Sequence, residues 1–220
     1  MKIQRASLAI AIGLCLASAL RAYEWPLDTR ALHEAWELGQ RNDQGTGTFL
    51  AQYLKKIFGG ENDPYTAEIE ILTPYAQVAD QSRRKTTGYS EQQAALDYQQ
   101  RGNTILINIV IMVPAAYPTN GTDSRTTNAP SENNRAMRPE NFWQNFQFII
   151  KQKGKTIPLR LIRKNSISSS ATVGAPAALD GANLRLQCDV KDVASVETTV
   201  EVVTPEAKTV RATFDLKKLR

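Results

Sequence analysis

The sequence predicts a mainly β chain with a helical N-terminal part, most specifically an antiparallel immunoglobulin-like β-sandwich, with an α+β arrangement as the alternative. Three observations predict it. The stretch Thr104–Pro114, TILINIVIMVP, is almost continuously apolar, rich in β-branched residues and closed by a proline, which reads as a strand covered on both faces. The last third of the chain alternates apolar and polar residues in successive segments, the pattern of half-buried strands. Turn residues separate about six short strands without βαβ alternation, which favours two packed antiparallel sheets.

Residues 1–22 read as a signal peptide and are set apart from the fold. Lys2 and Arg5 give the charged start, Leu8–Leu20 the apolar core, and small residues up to Ala22 the exit. Cleavage near Ala22 places the mature chain in the periplasm or outside the cell. It removes Lys2, Arg5 and Arg21 from the 27 basic residues and none of the 22 acidic ones, so the net charge falls from +5 to +2. No arginine-rich stripe with interleaved aromatics remains, so nucleic acid is not an expected partner. No later apolar run reaches the roughly 20 residues of a spanning helix, so no transmembrane span is expected in the mature chain. Cys15 leaves with the leader, and Cys188 is left without a disulfide partner. Its place in the alternation Leu184, Leu186, Cys188 predicts a small buried hydrophobe.

Residues 23–60 predict a helical hairpin packed on a main domain of residues 61–220. Asp28 is placed to cap a helix carrying Leu32, Ala35 and Trp36, with Gly39 near its end. RNDQGTGT then reads as a turn. Thr48 is placed to cap a second helix, whose stripe of Phe49, Leu50, Tyr53, Leu54 and Ile57 ends at Gly59-Gly60. Thr66–Thr73 alternates as a strand stopped by Pro74. Residues 74–90 carry no periodicity, and Arg83-Arg84-Lys85 reads as a solvated bend. Ser90 opens a capping-box pattern for a helix over Glu91–Gln100, ended by Gly102 and leading into the central strand.

Residues 115–140 have almost no large apolar side chain and predict a long exposed loop, longer than compact domains ordinarily use. Phe146–Ile150 and Ile157–Ile162 predict a hairpin about KQKGK, with Pro158 requiring an edge position or a bulge. Residues 165–183 read as a small, polar, flexible connection with one short strand at Ala171–Val173. Val196–Val202 and Val210–Leu216 predict a second hairpin, with Glu197 and Glu201 on a solvated face meeting Lys208 and Arg211.

The composition argues against most catalytic chemistry. One histidine, His33, and one mature cysteine leave no zinc pattern. Glu61 with Asp63 and Asp189 with Asp192 match no calcium loop, so no metal or other cofactor is expected. Ser168–Ser170 lacks a base, and Glu68 with Glu70 share a strand face as many wet strands do. The expected role is therefore a non-enzymatic interaction or structural protein of the cell envelope. Its contacts would be made through aromatics near loops: Tyr23, Trp25, Tyr75, Tyr89, Phe142 and Trp143. An envelope or extracellular protein is the expected partner and carbohydrate the second. A carbohydrate-binding module and an envelope-polymer hydrolase are the alternative functions.

Overall fold

The computed structural model describes residues 23–57, 65–85, 87–114, 141–168 and 179–220, and shows an α+β fold with two antiparallel sheets. The expected leader at residues 1–22, the loop expected at 115–140, Gly59-Gly60, the acids Glu61 and Asp63, and the short strand expected at Ala171–Val173 lie outside the described residues. Helix α1 spans Thr29–Arg41 and α2 Gln44–Ala51. Strands β1 (Leu54–Lys56) and β2 (Tyr65–Leu72) follow, then helices α3 (Pro74–Arg84) and α4 (Glu91–Arg101). The remaining strands are β3 (Thr104–Met112), β4 (Gln147–Gln152), β5 (Lys155–Ile157), β6 (Arg160–Ser168), β7 (Leu179–Asp189), β8 (Glu197–Val203) and β9 (Thr209–Asp215). A short 3-10 helix, Phe142–Asn145, precedes β4.

The five-stranded sheet runs β1-β2-β3-β7-β6, so the apolar strand Thr104–Met112 is central, as its composition requires. Its odd positions, Ile105, Ile107, Ile109 and Ile111, are fully buried. Ile69 and Ile71 of β2 lie opposite Ile109 and Ile107, while Leu184, Leu186 and Cys188 of β7 lie opposite Ile109, Ile107 and Ile105. Cys188 is thus the small buried hydrophobe its alternation predicts, and burial pushes its thiol up to about 12. The four-stranded sheet runs β5-β4-β8-β9. Its Ile150, Ile157, Val200, Val202, Ala212 and Phe214 join the same hydrophobic cluster as the isoleucines of β3. Buried Gln152 is satisfied on both ends: its Nε2 donates to the Ala194 carbonyl at 2.8 Å and its Oε1 accepts from the Ala194 N–H at 2.9 Å.

A second apolar cluster joins the helices, with Ala31, Leu32 and Ala35 of α1, Tyr75 and Val78 of α3, and Ala94 and Tyr98 of α4. Asp28 caps α1 by accepting from the Ala31 N–H at 2.7 Å, and Ser90 caps α4 by accepting from the Gln93 N–H at 3.2 Å. Gly39 serves contact rather than termination. A Cβ there would lie 2.3 Å from the Ala79 carbonyl oxygen, so α1 and α3 meet backbone to backbone. The helix ends instead at Asn42, in the left-handed region.

Four expectations are corrected. The second helix starts within the supposed turn, capped by Asp43, whose Oδ1 accepts from the Thr46 N–H at 2.8 Å. It stops at Ala51, and Leu54–Lys56 is strand β1 paired with β2. Residues 74–84 are a helix opened by the Thr73 cap and Pro74, and Arg83 and Arg84 form its last turn. Its buried face includes Gln77, Asp80 and Ser82, so no apolar stripe marks it. The expected second hairpin strand divides: Ile157 ends β5, and after Pro158 the chain crosses to the other sheet as β6. Residues 165–168 and 179–183, expected to be a flexible connection, are ladder residues of β6 and β7.

Glu201 is also buried rather than solvated. It pairs with Arg211 at 2.9 Å as expected and with Lys151 of β4 at 2.7 Å, while Glu197 stands opposite Asp215. Hydrogen bonds from Lys151 and Arg211 hold the Glu201 carboxyl below the usual carboxylate range. Among the described residues no helix is long and apolar enough to cross a membrane.

Candidate functional site

The six aromatics singled out in the sequence are dispersed rather than aligned. Tyr23 is buried and its hydroxyl donates to the Val193 carbonyl. Trp25 is half-buried beside it, and the two line a cavity of about 190 Å³ with Val193, Ala194 and Ser195. Tyr75 is buried between Phe49, 5.7 Å away edge-on, and the Arg220 guanidinium, 4.3 Å from its ring centre. Tyr89 is buried in the helical cluster, and its hydroxyl donates to Asp97 Oδ2 at 3.0 Å. Phe142 packs edge-on against Phe146. With Tyr23, Tyr75 and Tyr89 buried, the six rings present no common exposed stacking row.

Trp143 alone stands beside an open element. Its ring lies 5.8 Å from Lys164 Nζ of β6, and its indole N–H is buried without a partner among the described residues. Among the described residues strand β6 is an edge, bonded only to β7. It is long, nine residues, and every one but Ile167 is exposed. A register shift between Leu161 and Arg163 makes Ile162 the extra residue of a bulge. Leu161 and Ile162 are 37% and 42% exposed, two of the three large hydrophobic side chains open to solvent among the described residues. The third, Leu96, lies on α4.

Charge is one-sided in this part of the chain, and three of its cations, Arg160, Arg163 and Lys164, lie on β6. Between Glu140 and Asp180 the chain carries Lys151, Lys153, Lys155, Arg160, Arg163 and Lys164 and no carboxylate. Lys151 is matched by Glu201, but none of the other five forms an ion pair among the described residues. Arg163 stands directly opposite Arg185 of β7, a like-charge pairing that costs energy unless an anion joins it. Both guanidiniums are steered by amides. Arg163 Nε donates to Asn165 Oδ1 at 3.3 Å, and Arg185 Nε donates to Asn108 Oδ1 at 2.9 Å. Asn108 in turn donates to Glu70 Oε2 at 2.5 Å.

This Glu70-Asn108-Arg185 chain crosses three strands on the sheet face opposite the buried isoleucines and explains the asparagine inside β3. Burial raises the Glu70 pKa against the opposing effect of the Asn108 bond, and burial with the nearby Arg84 charge lowers that of Arg185. Arg84 is itself held by Asp80 at 2.8 Å and lines, with Lys85, Thr87, Gly88 and Tyr89, an open groove of about 440 Å³.

Among the described residues no cysteine nucleophile is placed beside a histidine base. Cys188 is in the sheet core, whereas His33 is half-exposed on α1, 3.0 Å from Glu91. Glu70 is spent on Asn108. Asp189 is a turn acid, paired with Lys191 at 2.9 Å and accepting from its N–H at 3.1 Å. Among the described residues no group of three His, Cys, Asp or Glu side chains is placed to hold a metal ion.

The exposed basic edge is not marked by any motif, although its signal is countable: six cations with no acid over the stretch between Glu140 and Asp180, three of them on β6. Which of them face one another follows only from strand register. Compared with known protein families, with curated proteins and with solved structures, the chain matches none.

Proposed function

We propose that this chain is an exported, non-enzymatic protein of the cell envelope, periplasmic or secreted after signal-peptide removal near Ala22, and that it acts by docking another protein along β6. The observation that carries this is the open edge strand itself. Natural sheets keep edges short, covered or free of apolar residues, because an unpaired row of N–H and C=O groups recruits other strands. Here the edge is long and shows Leu161 and Ile162, with Trp143 alongside. Such an edge suits strand addition, in which main-chain hydrogen bonds give affinity and alternate side chains give selectivity. The shared core of the two sheets supports reading them as layers of a β-sandwich, within which an immunoglobulin-like arrangement is our proposal.

The test is site-specific photo-crosslinking in cells that make the protein. A photoreactive phenylalanine analogue at Ile162 should trap a discrete protein partner, while the same analogue at exposed Leu96 should not. Equal capture from both positions, or none from Ile162, overturns the docking role.

A further inference from the structure

Granted the docking role above, on which this inference rests, we propose that the partner presents an extended acidic segment, which adds to β6 as a strand and places a carboxylate on the Arg163-Arg185 pair. Three observations converge on that chemistry. The first is the cross-strand pairing of two arginines without a carboxylate. Each has its Nε committed to a side-chain amide, which fixes the plane of the guanidinium and leaves its terminal N–H groups for another acceptor. Glu70 reaches this pair only through Asn108, so the anion is not supplied by the sheet itself.

The second is the sign of the whole edge. Arg160, Arg163 and Lys164 lie on β6 without ion pairs among the described residues, and the strand carries no carboxylate. A second copy of this chain pairing edge to edge would bring these cations together, so charge disfavours self-addition and favours an acidic partner. The third is backbone and apolar surface in the same place. A polyanion such as nucleic acid could neutralise the arginines but offers no strand to the free edge and nothing to cover Leu161 and Ile162. A polypeptide alternating acidic and apolar residues supplies both, one set on each face.

The experiment uses the purified chain, isotope-labelled for NMR, and capped peptides alternating valine with glutamate or valine with lysine. The glutamate peptide should shift the amides of residues 160–168 and bind about tenfold more tightly than its lysine counterpart. N-methylation of alternate peptide residues should abolish the effect, because it removes the donors that strand addition needs. The double charge reversal R163E/K164E changes two exposed side chains on an edge, and should invert the preference so that the lysine peptide binds better; its unperturbed spectrum elsewhere shows that it folds.

Equal binding of the two peptides, binding of neither, shifts confined to other elements, or a preference that survives R163E/K164E overturns the proposal. So does a thymidine oligonucleotide or a phosphatidylglycerol vesicle that shifts the same amides at lower concentration than the glutamate peptide. Crosslinking from Ile162 without a peptide preference would leave β6 as the docking edge and remove only the acidic partner. Peptide preference without crosslinking would remove the docking role in the cell.

Discussion

Glu70 shows how a single carboxylate can be kept at a cost. It sits half-buried on β2, and burial raises its pKa more than the Asn108 hydrogen bond lowers it. Folding therefore favours its protonated form. Below the ordinary glutamate value the side chain imposes no charge penalty. As the pH climbs from that value through the raised one, ionisation in the fold subtracts stability that the unfolded chain does not lose. Glu70→Gln keeps an acceptor for Asn108 and removes the charge. Urea unfolding should find the variant more stable than the parent at pH 7 and indistinguishable from it near pH 3. A variant less stable at pH 7 would mean that attraction to Arg185 and Arg84 outweighs desolvation. Cys188 gives the contrasting case of a group made inert, since a thiol raised to about 12 in the sheet core supplies no thiolate at neutral pH.

At the scale of elements, the α1–α3 contact depends on one missing side chain. Gly39→Ala would gain about 1 kcal/mol of helix propensity. It would also drive a Cβ to 2.3 Å from the Ala79 carbonyl and 2.5 Å from Ser82 Cβ, and backbone cannot turn aside as a side-chain tip can. Thermal or urea unfolding should show a net loss of about 2 kcal/mol. Elements whose determinants are local were legible in the sequence. Ser90 and Gly102 bracket α4, β3 announces its two-sided burial, and the β8–β9 hairpin follows its alternation.

Elements fixed by their neighbours were not legible. Helix α3 buries Gln77 and Asp80 because they have partners elsewhere, with Gln77 Nε2 donating to the Leu72 carbonyl at 2.9 Å and Asp80 accepting from Arg84. A hydrophobic pattern has nothing to register there. Strand β6 is hidden by its bulge, which breaks the alternation, and by its exposure, which removes any need for apolar residues. The candidate site inherits that difficulty, because Arg163 and Arg185 become neighbours only through the ladder.

Over the whole molecule, Arg220 fastens parts that are far apart in the chain. Its guanidinium lies on Tyr75 and pairs with Glu34 at 2.5 Å and Glu24 at 3.3 Å, while its carbonyl accepts from the hydroxyls of Tyr53 and Thr73. Arg220→Ala keeps the backbone acceptor and deletes the cation. The site is partly exposed, so solvent weakens the pairs, and the expected loss is about 1 kcal/mol by urea unfolding.

The charge of the chain is likewise unevenly spread. Of the 24 basic residues after Ala22, six lie between Glu140 and Asp180, which leaves 18 against all 22 acidic residues elsewhere. Three of the six, Arg160, Arg163 and Lys164, lie on β6 and make that strand a local positive pole. An approaching acidic partner would be turned by that field before contact, so the encounter is selected by orientation as well as by collision. Stopped-flow association with the glutamate peptide should slow several-fold between about 20 and 200 mM salt as the screening length shortens, with dissociation little changed. A rate indifferent to salt would mean that the pole plays no part in capture.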